Sequence, residues 1–459
     1  MDLTWMIKTA IVLILGFIVA VIGWVMVYFA RACTRYKAKT LCSGLLVTGL
    51  ERERLEAEEL ALFSFVSAQI DHFQRRVTAS TCFGLIQAEA YCRPGFGCVL
   101  VSRGSAAVSP RSSHIVGSFP KQGLGKQVPW RLSPNAHHDS PTVNWNLLNQ
   151  VVDQAFQEQD PRYPCRTRAV MVVKEGWVVA ERYAEGITAD HRLPGLSLAK
   201  SVTNAMVGIL VGDGRLDVYA PLPVPEWKHP QDPRNRITLD HLLRMNSGLK
   251  FLEYYAPIPG ADAIQMLFFE PDAAAFAAKK NLTGPPGQIW KYSSASTNII
   301  SRAIRSILGD ETYWNFPYLR LFQPLGMESA VFETDPSGTF VGSSFMYATL
   351  QDWARFGLLY LQEGVWGSKR ILPEGWIQYS TTPTPASEGK YGAHFWLRGQ
   401  NRIPGIPGDE YCTSGFYGQW IMIIPSRQTV MVRLGHTPLR RGFDDRKFEV
   451  GILKAVSGS

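Results

Sequence analysis

The chain has 459 residues, of which 46% are hydrophobic and 19% are charged, and its formal net charge is +8. This composition is typical of a globular protein and leaves room for one large domain or two ordinary ones. Lys and Arg are scattered through the chain, without a basic run interleaved with aromatic residues. We therefore expect no nucleic-acid partner.

The first predicted element is a long apolar helix. Residues 9–30, "TAIVLILGFIVAVIGWVMVYFA", carry no charge, and a helix of this length spans roughly 33 Å, enough to cross the hydrocarbon core of a bilayer. The run is longer than the apolar core of a typical signal peptide. We therefore expect a single-pass membrane anchor over residues 1–31, with a cleaved signal and a buried core helix as the alternatives.

The flanking residues leave the side of the membrane open. One basic side chain, Lys8, precedes the apolar run. Four follow it: Arg31, Arg35, Lys37 and Lys39. Under the positive-inside rule this difference favours a cytoplasmic main domain. The sequon "NLT" at Asn281 points the other way. The seven cysteines contain no Cys-x-x-Cys pair, so they define neither a disulfide framework nor a zinc site.

Residues 32–140 are predicted to form an N-terminal extension and linker. The stretch 51–73, "ERERLEAEELALFSFVSAQIDHF", has helical composition and spacing, whereas 95–102, "GFGCVLVS", is typical of a strand. Residues 109–127 and 133–141 are rich in Ser, Pro and Gly, which indicates loop or linker. The main domain is therefore predicted over residues 141–459.

The main domain is predicted to be α/β (α+β), with an antiparallel β-sheet flanked by helices and a mainly helical lobe. Two β-rich hairpins stand at its two ends, one turning at residues 174–176 and one at 425–428, and a terminal helix is predicted over 448–456. Strands from both ends would form one sheet, and the middle segments would supply helices. A substrate would bind in the crevice between the lobes.

One Ser-x-x-Lys motif is set in a helical context. The motif occurs four times, at Ser118/Lys121, Ser197/Lys200, Ser247/Lys250 and Ser387/Lys390. Only Ser197 begins a long helical pattern, so Lys200 returns to the serine's face one turn later. A buried lysine has a lowered pKa and can activate a serine nucleophile. The alternative is an N-cap serine with a snorkelling surface lysine.

Two further stretches carry candidate site residues. In "GPPGQIWKYSSASTN", Tyr292 follows a Pro/Gly turn and precedes a helical pattern, so its phenol could project into the crevice. Neighbouring cations would lower its pKa and make it a general base. In "TSGFYGQWIMII", Gly415 and Gly418 would let a substrate approach backbone N–H groups, as an oxyanion hole requires.

Several motifs in order resemble the serine β-lactamase-related superfamily, particularly its class C-like branch with esterases, D-amino-acid peptidases and 6-aminohexanoate-dimer hydrolases. They are "SLAKSVTNAMVGILVGDGRLD", "ITLDHLLRMNSGL", "PPGQIWKYSSASTN", "LFQPLGM", "DWARFGLLYL" and "ILPEGW". The resemblance implies a β-lactamase/transpeptidase-like fold and an acyl-enzyme on Ser197, with Lys200 as proton-transfer partner and Tyr292 as base and then acid. It also favours an extracytoplasmic catalytic domain.

The chain departs from the family pattern at two places. Tyr-x-Asn reads Tyr292-Ser293-Ser294, and the Lys-Thr-Gly strand motif reads either Thr413-Ser414-Gly415 or Phe416-Tyr417-Gly418. Without a cation in that strand, efficient β-lactam hydrolysis is not expected. An uncharged amide or ester, with Ser343 and Ser344 lining the same crevice, is the expected substrate.

Three hypotheses follow from these motifs. The first is a membrane-anchored serine amidase or esterase, the second a penicillin-binding-type peptidase or β-lactamase, and the third a non-catalytic, assembly-forming relative. The sequence offers neither paired metal-ligand spacing nor a nucleotide-binding loop, so we expect no metal and no cofactor. The oligomeric state stays open.

Overall fold

The computed structural model describes residues 3–101, 143–398 and 404–457. The two predicted linker stretches, 109–127 and 133–141, lie outside these residues, as does the Ser118/Lys121 motif. The division into residues 1–31, 32–140 and 141–459 stays a prediction.

The N-terminal part combines one long helix with a small sheet. Helix α1 (Leu3–Ser43) continues without a break past residue 31, and a short helix α2 (Arg52–Glu58) follows it. Four antiparallel strands then form a sheet in the order β1-β2-β3-β4: β1 (Ser67–Asp71), β2 (Arg76–Thr81), β3 (Ile86–Arg93) and β4 (Gly97–Leu100). The C-terminal third of α1 packs against β2, β3 and β4.

The two parts of α1 have opposite surroundings. Residues 5–29 are mostly exposed apolar side chains, whereas Ala38, Leu41 and Cys42 are fully buried. Among the described residues one helix, Trp5–Thr48, is long and apolar enough to cross a membrane. Its composition matches the predicted anchor, and insertion into a membrane stays a prediction.

The prediction of one helix over residues 51–73 is wrong. The helix ends at Glu58, and Ser67–Asp71 is strand β1, whose residues pair with β2 from Ser67 opposite Ser80 to Asp71 opposite Arg76. The segment "SAQID" alternates in burial, as an edge strand does. Pairing with β2 outweighs the local helical propensity, because strand formation depends on packing against neighbours.

A five-stranded antiparallel sheet joins the two ends of the main domain, as predicted. After helix α3 (Trp145–Gln154), strands β5 (Thr167–Lys174) and β6 (Trp177–Tyr183) form the first predicted hairpin, with positive φ at Glu175 and Gly176. The later elements include a short three-stranded sheet, a two-stranded hairpin and the remaining large-sheet strands: β7 (Leu193–Pro194), β8 (Val331–Phe332), β9 (Met346–Ala348), β10 (Val365–Trp366), β11 (Lys369–Arg370), β12 (Tyr411–Gly415), β13 (Gln419–Ile424) and β14 (Thr429–Gly435). The large sheet has the order β12-β13-β14-β5-β6.

Helices cover both faces of this sheet and build a second lobe. Those of the middle segments are α4 (Leu198–Gly212), α5 (Leu239–Leu243), α6 (Asp262–Phe268), α7 (Ala273–Ala278), α8 (Ser294–Leu308), α9 (Asp310–Pro317), α10 (Gln323–Leu325), α11 (Leu350–Leu361) and α12 (Trp376–Thr381). The terminal helix α13 (Asp445–Val456) packs with α3 on one face, while α11 packs on the other. The predicted fold class is confirmed: an antiparallel sheet with flanking helices and a mainly helical lobe.

Helix α4 lies in the centre of the molecule. All its residues from Leu198 to Leu210 are buried, which explains an apolar helix without a polar face. Its buried Asn204 is fully engaged, since its amide oxygen accepts from Tyr360 (2.6 Å) and Trp376 (2.9 Å) and its nitrogen donates to Ser380 (3.1 Å). These bonds fix α4, and therefore fix the two residues of the Ser-x-x-Lys motif at its start.

Candidate active site

Ser197 lies at a sharp turn immediately before α4. Leu196 has φ of 49°, an unusual value for a residue with a side chain, and Ser197 is the N-cap of the helix. The hydroxyl is half-buried and makes no capping bond to the helix. It stands at the positive end of the helix dipole, where developing negative charge is stabilised.

Lys200 lies directly beside this hydroxyl. Its ammonium Nζ is 3.0 Å from Ser197 Oγ, and it also donates to Ser294 Oγ (3.1 Å) and to the carbonyl of Ser343 (2.9 Å). Lys200 is only 1% exposed, so it is not a snorkelling surface lysine. Burial lowers its pKa to about 8, although the negative charge of Glu253 opposes this shift.

Ser294, in the position of the missing asparagine, joins Lys200 to a carboxylate. Its N–H donates to Glu253 Oε2 (2.7 Å) and its hydroxyl to Oε1 (2.5 Å), while Tyr255 donates to Oε1 as well (2.6 Å). A line of polar groups therefore runs from Ser197 through Lys200 and Ser294 to Glu253. Sequence reasoning missed Glu253 and Tyr255, because neither belongs to a motif with a recognisable spacing.

The ring of Tyr292 also lies close to the lysine. Lys200 Nζ is 4.8 Å from the centre of its ring, which also stacks on Trp396 at 5.5 Å. The expected fall in the pKa of Tyr292 is wrong: burial and the Glu253 charge raise it, against the opposing effect of a hydrogen bond with Ser197. At neutral pH this phenol is therefore protonated.

The end of strand β12 borders the serine turn. A Cβ on Gly415 would lie 2.3 Å from the carbonyl oxygen of Gly195, so no side chain fits there. In the turn that follows, the carbonyls of Tyr417 and Gly418 accept from the buried guanidinium of Arg433 (3.3 and 2.7 Å). Both readings of the strand motif thus lie in one continuous segment beside the serine turn.

Three of the other predicted site residues line the cavity beside Ser197, and one is buried behind it. Phe416, Tyr417 and Ser344 line the same cavity as Ser197. Ser343 is buried, and its hydroxyl accepts from the Asn298 amide (3.1 Å), so it meets Lys200 through its backbone carbonyl.

The cavity next to Ser197 has a volume of about 630 Å³, within the usual range for small-molecule sites. One of its walls belongs to α1, through Ala32, Tyr36 and Thr40. The sequence did not indicate this, because residues 32–140 were assigned to an extension. Apolar side chains form much of the remaining wall: Leu62, Phe63, Ile264, Leu267, Phe268 and Phe345.

Comparison with known proteins identifies the family and agrees with the fold. Residues 152–452, more than half of the chain, match the family model described as Beta-lactamase. The chain belongs to the beta-lactamase family. The 6-aminohexanoate-dimer hydrolase of Paenarthrobacter ureafaciens is 24% identical over 298 residues, which are 59% of this chain and 73% of that protein. The predicted family resemblance is confirmed, and with it membership of a family of serine hydrolases.

Solved structures of the family share the fold. A candidate 6-aminohexanoate-dimer hydrolase from Bacillus anthracis is 23% identical, with a TM-score of 0.55 over 71% of this chain and 84% of that one. A family VIII carboxylesterase is 14% identical, with a TM-score of 0.54 over 68% of this chain and 96% of that one. At these identities the likeness concerns the fold.

Proposed function

We propose that this member of the beta-lactamase family is a membrane-anchored serine amidase or esterase that works through an acyl-enzyme on Ser197. The observation that carries the proposal is the 3.0 Å separation between the Ser197 hydroxyl and the buried Lys200 amine. A serine needs a neighbouring base to become a nucleophile, and an amine with a pKa of about 8 can accept its proton near neutral pH.

In the proposed reaction, neutral Lys200 accepts the proton of Ser197 as Oγ attacks the substrate carbonyl carbon. The negative oxygen that forms is stabilised at the start of α4, with an N–H group from the strand after Gly415 as the second donor. The phenol of Tyr292, which is protonated in the resting enzyme, gives its proton to the leaving amine or alkoxide and takes one from Lys200 in return. Water then attacks the acyl-enzyme and releases a carboxylic acid.

The proposed substrate is an uncharged amide or ester rather than a β-lactam. The guanidinium of Arg433 donates its hydrogen bonds to the carbonyls of Tyr417 and Gly418. Burial and the neighbouring arginines lower the pKa of His436 to about 3, so its ring is neutral. Neither group therefore supplies a cation for the carboxylate of a penicillin. Amide and ester cleavage are also the activities named for two relatives, a 6-aminohexanoate-dimer hydrolase and a carboxylesterase.

The proposal is tested with a fluorophosphonate probe, which labels an activated serine. The wild type should be labelled at Ser197, and Ser197→Ala should lose the label completely. Ser247→Ala is the matched control, because Ser247 and Lys250 form the same four-residue motif away from the cavity lining. A folded wild type without label, or a label that survives in Ser197→Ala, would contradict the proposal. Fluorescent penicillin should label the wild type at least tenfold more slowly.

A further inference from the structure

The cavity beside Ser197 continues to the point where the apolar part of α1 ends. Tyr36 of α1 contacts Phe63 (ring centres 4.9 Å apart) and Phe268 (5.4 Å), so the helix forms a packed aromatic wall of the cavity. Seven residues earlier on the same helix, Phe29 stacks on Phe65 at 6.0 Å. One helix therefore carries both the exposed apolar surface and the wall of the site.

Four exposed apolar side chains lie at the end of the small sheet that Phe65 joins to this junction. Leu62 and Phe65 precede strand β1, and Phe83 and Leu85 lie in the turn that joins β2 to β3. The register puts Ser67 opposite Ser80, and Thr81 donates to the Phe65 carbonyl (3.5 Å), so all four side chains lie at the same end of the small sheet. Leu62 and Leu85 are each 86% exposed. We call these four residues the apolar collar.

The collar and the cavity meet at Leu62, which is exposed and also lines the cavity. Exposed apolar groups clustered around the end of an apolar helix fit the interfacial zone of a bilayer better than they fit water. The acidic groups of the cavity wall are paired, since Arg168 contacts both Glu58 and Glu59 (2.7 and 2.8 Å) and Arg54 also contacts Glu58 (3.8 Å). The basic groups of the lining are engaged as well: Lys39 pairs with Glu333, the exposed Arg162 pairs with Asp160, and Arg166 donates to the Glu58 carbonyl. Because the rest of the wall is mostly apolar, the interior favours a ligand part without charge.

We propose that the cavity holds the fatty-acyl chain of a membrane-embedded amphiphile, an N-acyl amide or acyl ester, which enters from the bilayer past the apolar collar. This inference rests on the proposed function. Ser197 Oγ bonds to the acyl carbon, the bond from that carbon to the head group breaks, and the head group leaves as an amine or alcohol with one proton. Water then releases the fatty acid and restores Ser197.

The chain-length test uses p-nitrophenyl acetate and p-nitrophenyl dodecanoate with the full chain in phosphatidylcholine nanodiscs. Each buried methylene contributes a factor of about four to binding, and the chain occupies a mostly apolar cavity. We expect the Ser197-dependent kcat/KM for dodecanoate to exceed that for acetate at least tenfold. Leu267→Trp, which fills the cavity, should lower this ratio at least tenfold, and Thr40→Trp on the wall formed by α1 should do the same.

Leu319→Trp is the matched control, because Leu319 is 46% exposed and lies away from the cavity lining. It should leave the ratio unchanged. Ser197-dependent hydrolysis with no chain-length preference, or with a preference that both cavity variants retain, would overturn the acyl site and leave the proposed function standing. Absence of Ser197-dependent hydrolysis of either ester would instead overturn the proposed function.

A second measurement tests whether the substrate enters the cavity from the bilayer. The full chain and a hexadecanoyl amide of an aminocoumarin are reconstituted either in the same phosphatidylcholine vesicles or in separate ones. We expect release of the coumarin to be at least tenfold faster in shared vesicles. Equal rates would show that the substrate arrives through water and would overturn entry past the apolar collar.

Discussion

The charge of Lys200 controls the chemistry available to this site. Burial disfavours the ammonium form and lowers its pKa to about 8, and the carboxylate of Glu253, joined to the lysine through Ser294, moderates the shift. The same carboxylate raises the pKa of Tyr292. Of Lys200 and Tyr292, the lysine is therefore the one that changes protonation state near neutral pH.

This assignment predicts the pH dependence of kcat/KM. If neutral Lys200 is the base, kcat/KM should rise about tenfold between pH 7 and 9 and then level off. Removing the charge in Glu253→Gln should move the rising limb to lower pH, because the carboxylate favours the ammonium. Both profiles are measured on a p-nitrophenyl ester with correction for spontaneous hydrolysis. A limb that moves to higher pH in Glu253→Gln would contradict a base beside this carboxylate, since Glu253 raises the pKa of both Lys200 and Tyr292. A wild-type rise that begins only above pH 10 would indicate Tyr292 as the base instead.

The sequence predicted which residues lie together better than it predicted their ionisation. Ser197, Lys200 and Tyr292 were predicted from motifs, whereas the direction of the Tyr292 pKa shift was predicted wrongly. The neighbouring charge that shifts this pKa is that of Glu253, which accepts a hydrogen bond from Ser294 although the two residues are 41 positions apart in the sequence. Its effect depends on a contact that no local pattern reports.

At the scale of elements, α1 is tied to the main domain by a buried ion pair. Lys39 pairs with Glu333, which also accepts from Ser43 (2.9 Å) and from the N–H of Cys98 (2.7 Å). The Lys39 and Glu333 side chains are 5% and 0% exposed. Breaking such a pair leaves a buried charge without its partner, which is costly.

We therefore expect Lys39→Met to lower the free energy of unfolding by about 3 kcal/mol. Lys390→Met is the control, because Lys390 and Glu388 form an exposed pair, and the loss there should stay below about 0.5 kcal/mol. Urea unfolding of the detergent-solubilised chain, followed by tryptophan fluorescence, measures both. Equal losses in the two variants would show that the Lys39 pair does not fasten α1 to the domain.

Sequence patterns predicted some elements well and others poorly. The hairpins at 174–176 and 425–428 were confirmed because each turn joins two strands that are strongly apolar. Strand β1 was missed, since its five residues form a strand only by pairing with β2. The continuation of α1 past residue 31 was also not predicted. The sequence changes there from apolar to basic, but the helix continues to Ser43.

At the scale of the whole molecule, the cavity is built from distant parts of the chain. Tyr36, Leu267 and Leu439 all line it. The fold class could be predicted from the order of elements. The packing of α1 against the cavity could not, because it depends on contacts between segments more than 200 residues apart. The N-terminal helix is thus part of the folded body as well as the predicted anchor.

Two truncations separate these roles. A chain that begins at Ala30 keeps the buried residues of α1 and should elute as a folded protein without detergent. A chain that begins at Gly44 loses Ala38, Leu41 and Cys42 from the core and should aggregate. Size-exclusion chromatography and fluorophosphonate labelling check both. A folded, labelled protein from the shorter chain would show that α1 is dispensable for the site.

The unbroken course of α1 has a mechanical consequence. A helix in a bilayer adjusts its tilt to the thickness of the hydrocarbon layer, and no loop between Phe29 and Thr40 can absorb that rotation. If residues 3–29 lie in lipid, a thinner or thicker membrane therefore pulls Tyr36 and Thr40 with them and reshapes the space in front of Ser197. Turnover would then vary with the lipid composition of the host membrane, even for a substrate that dissolves freely in water.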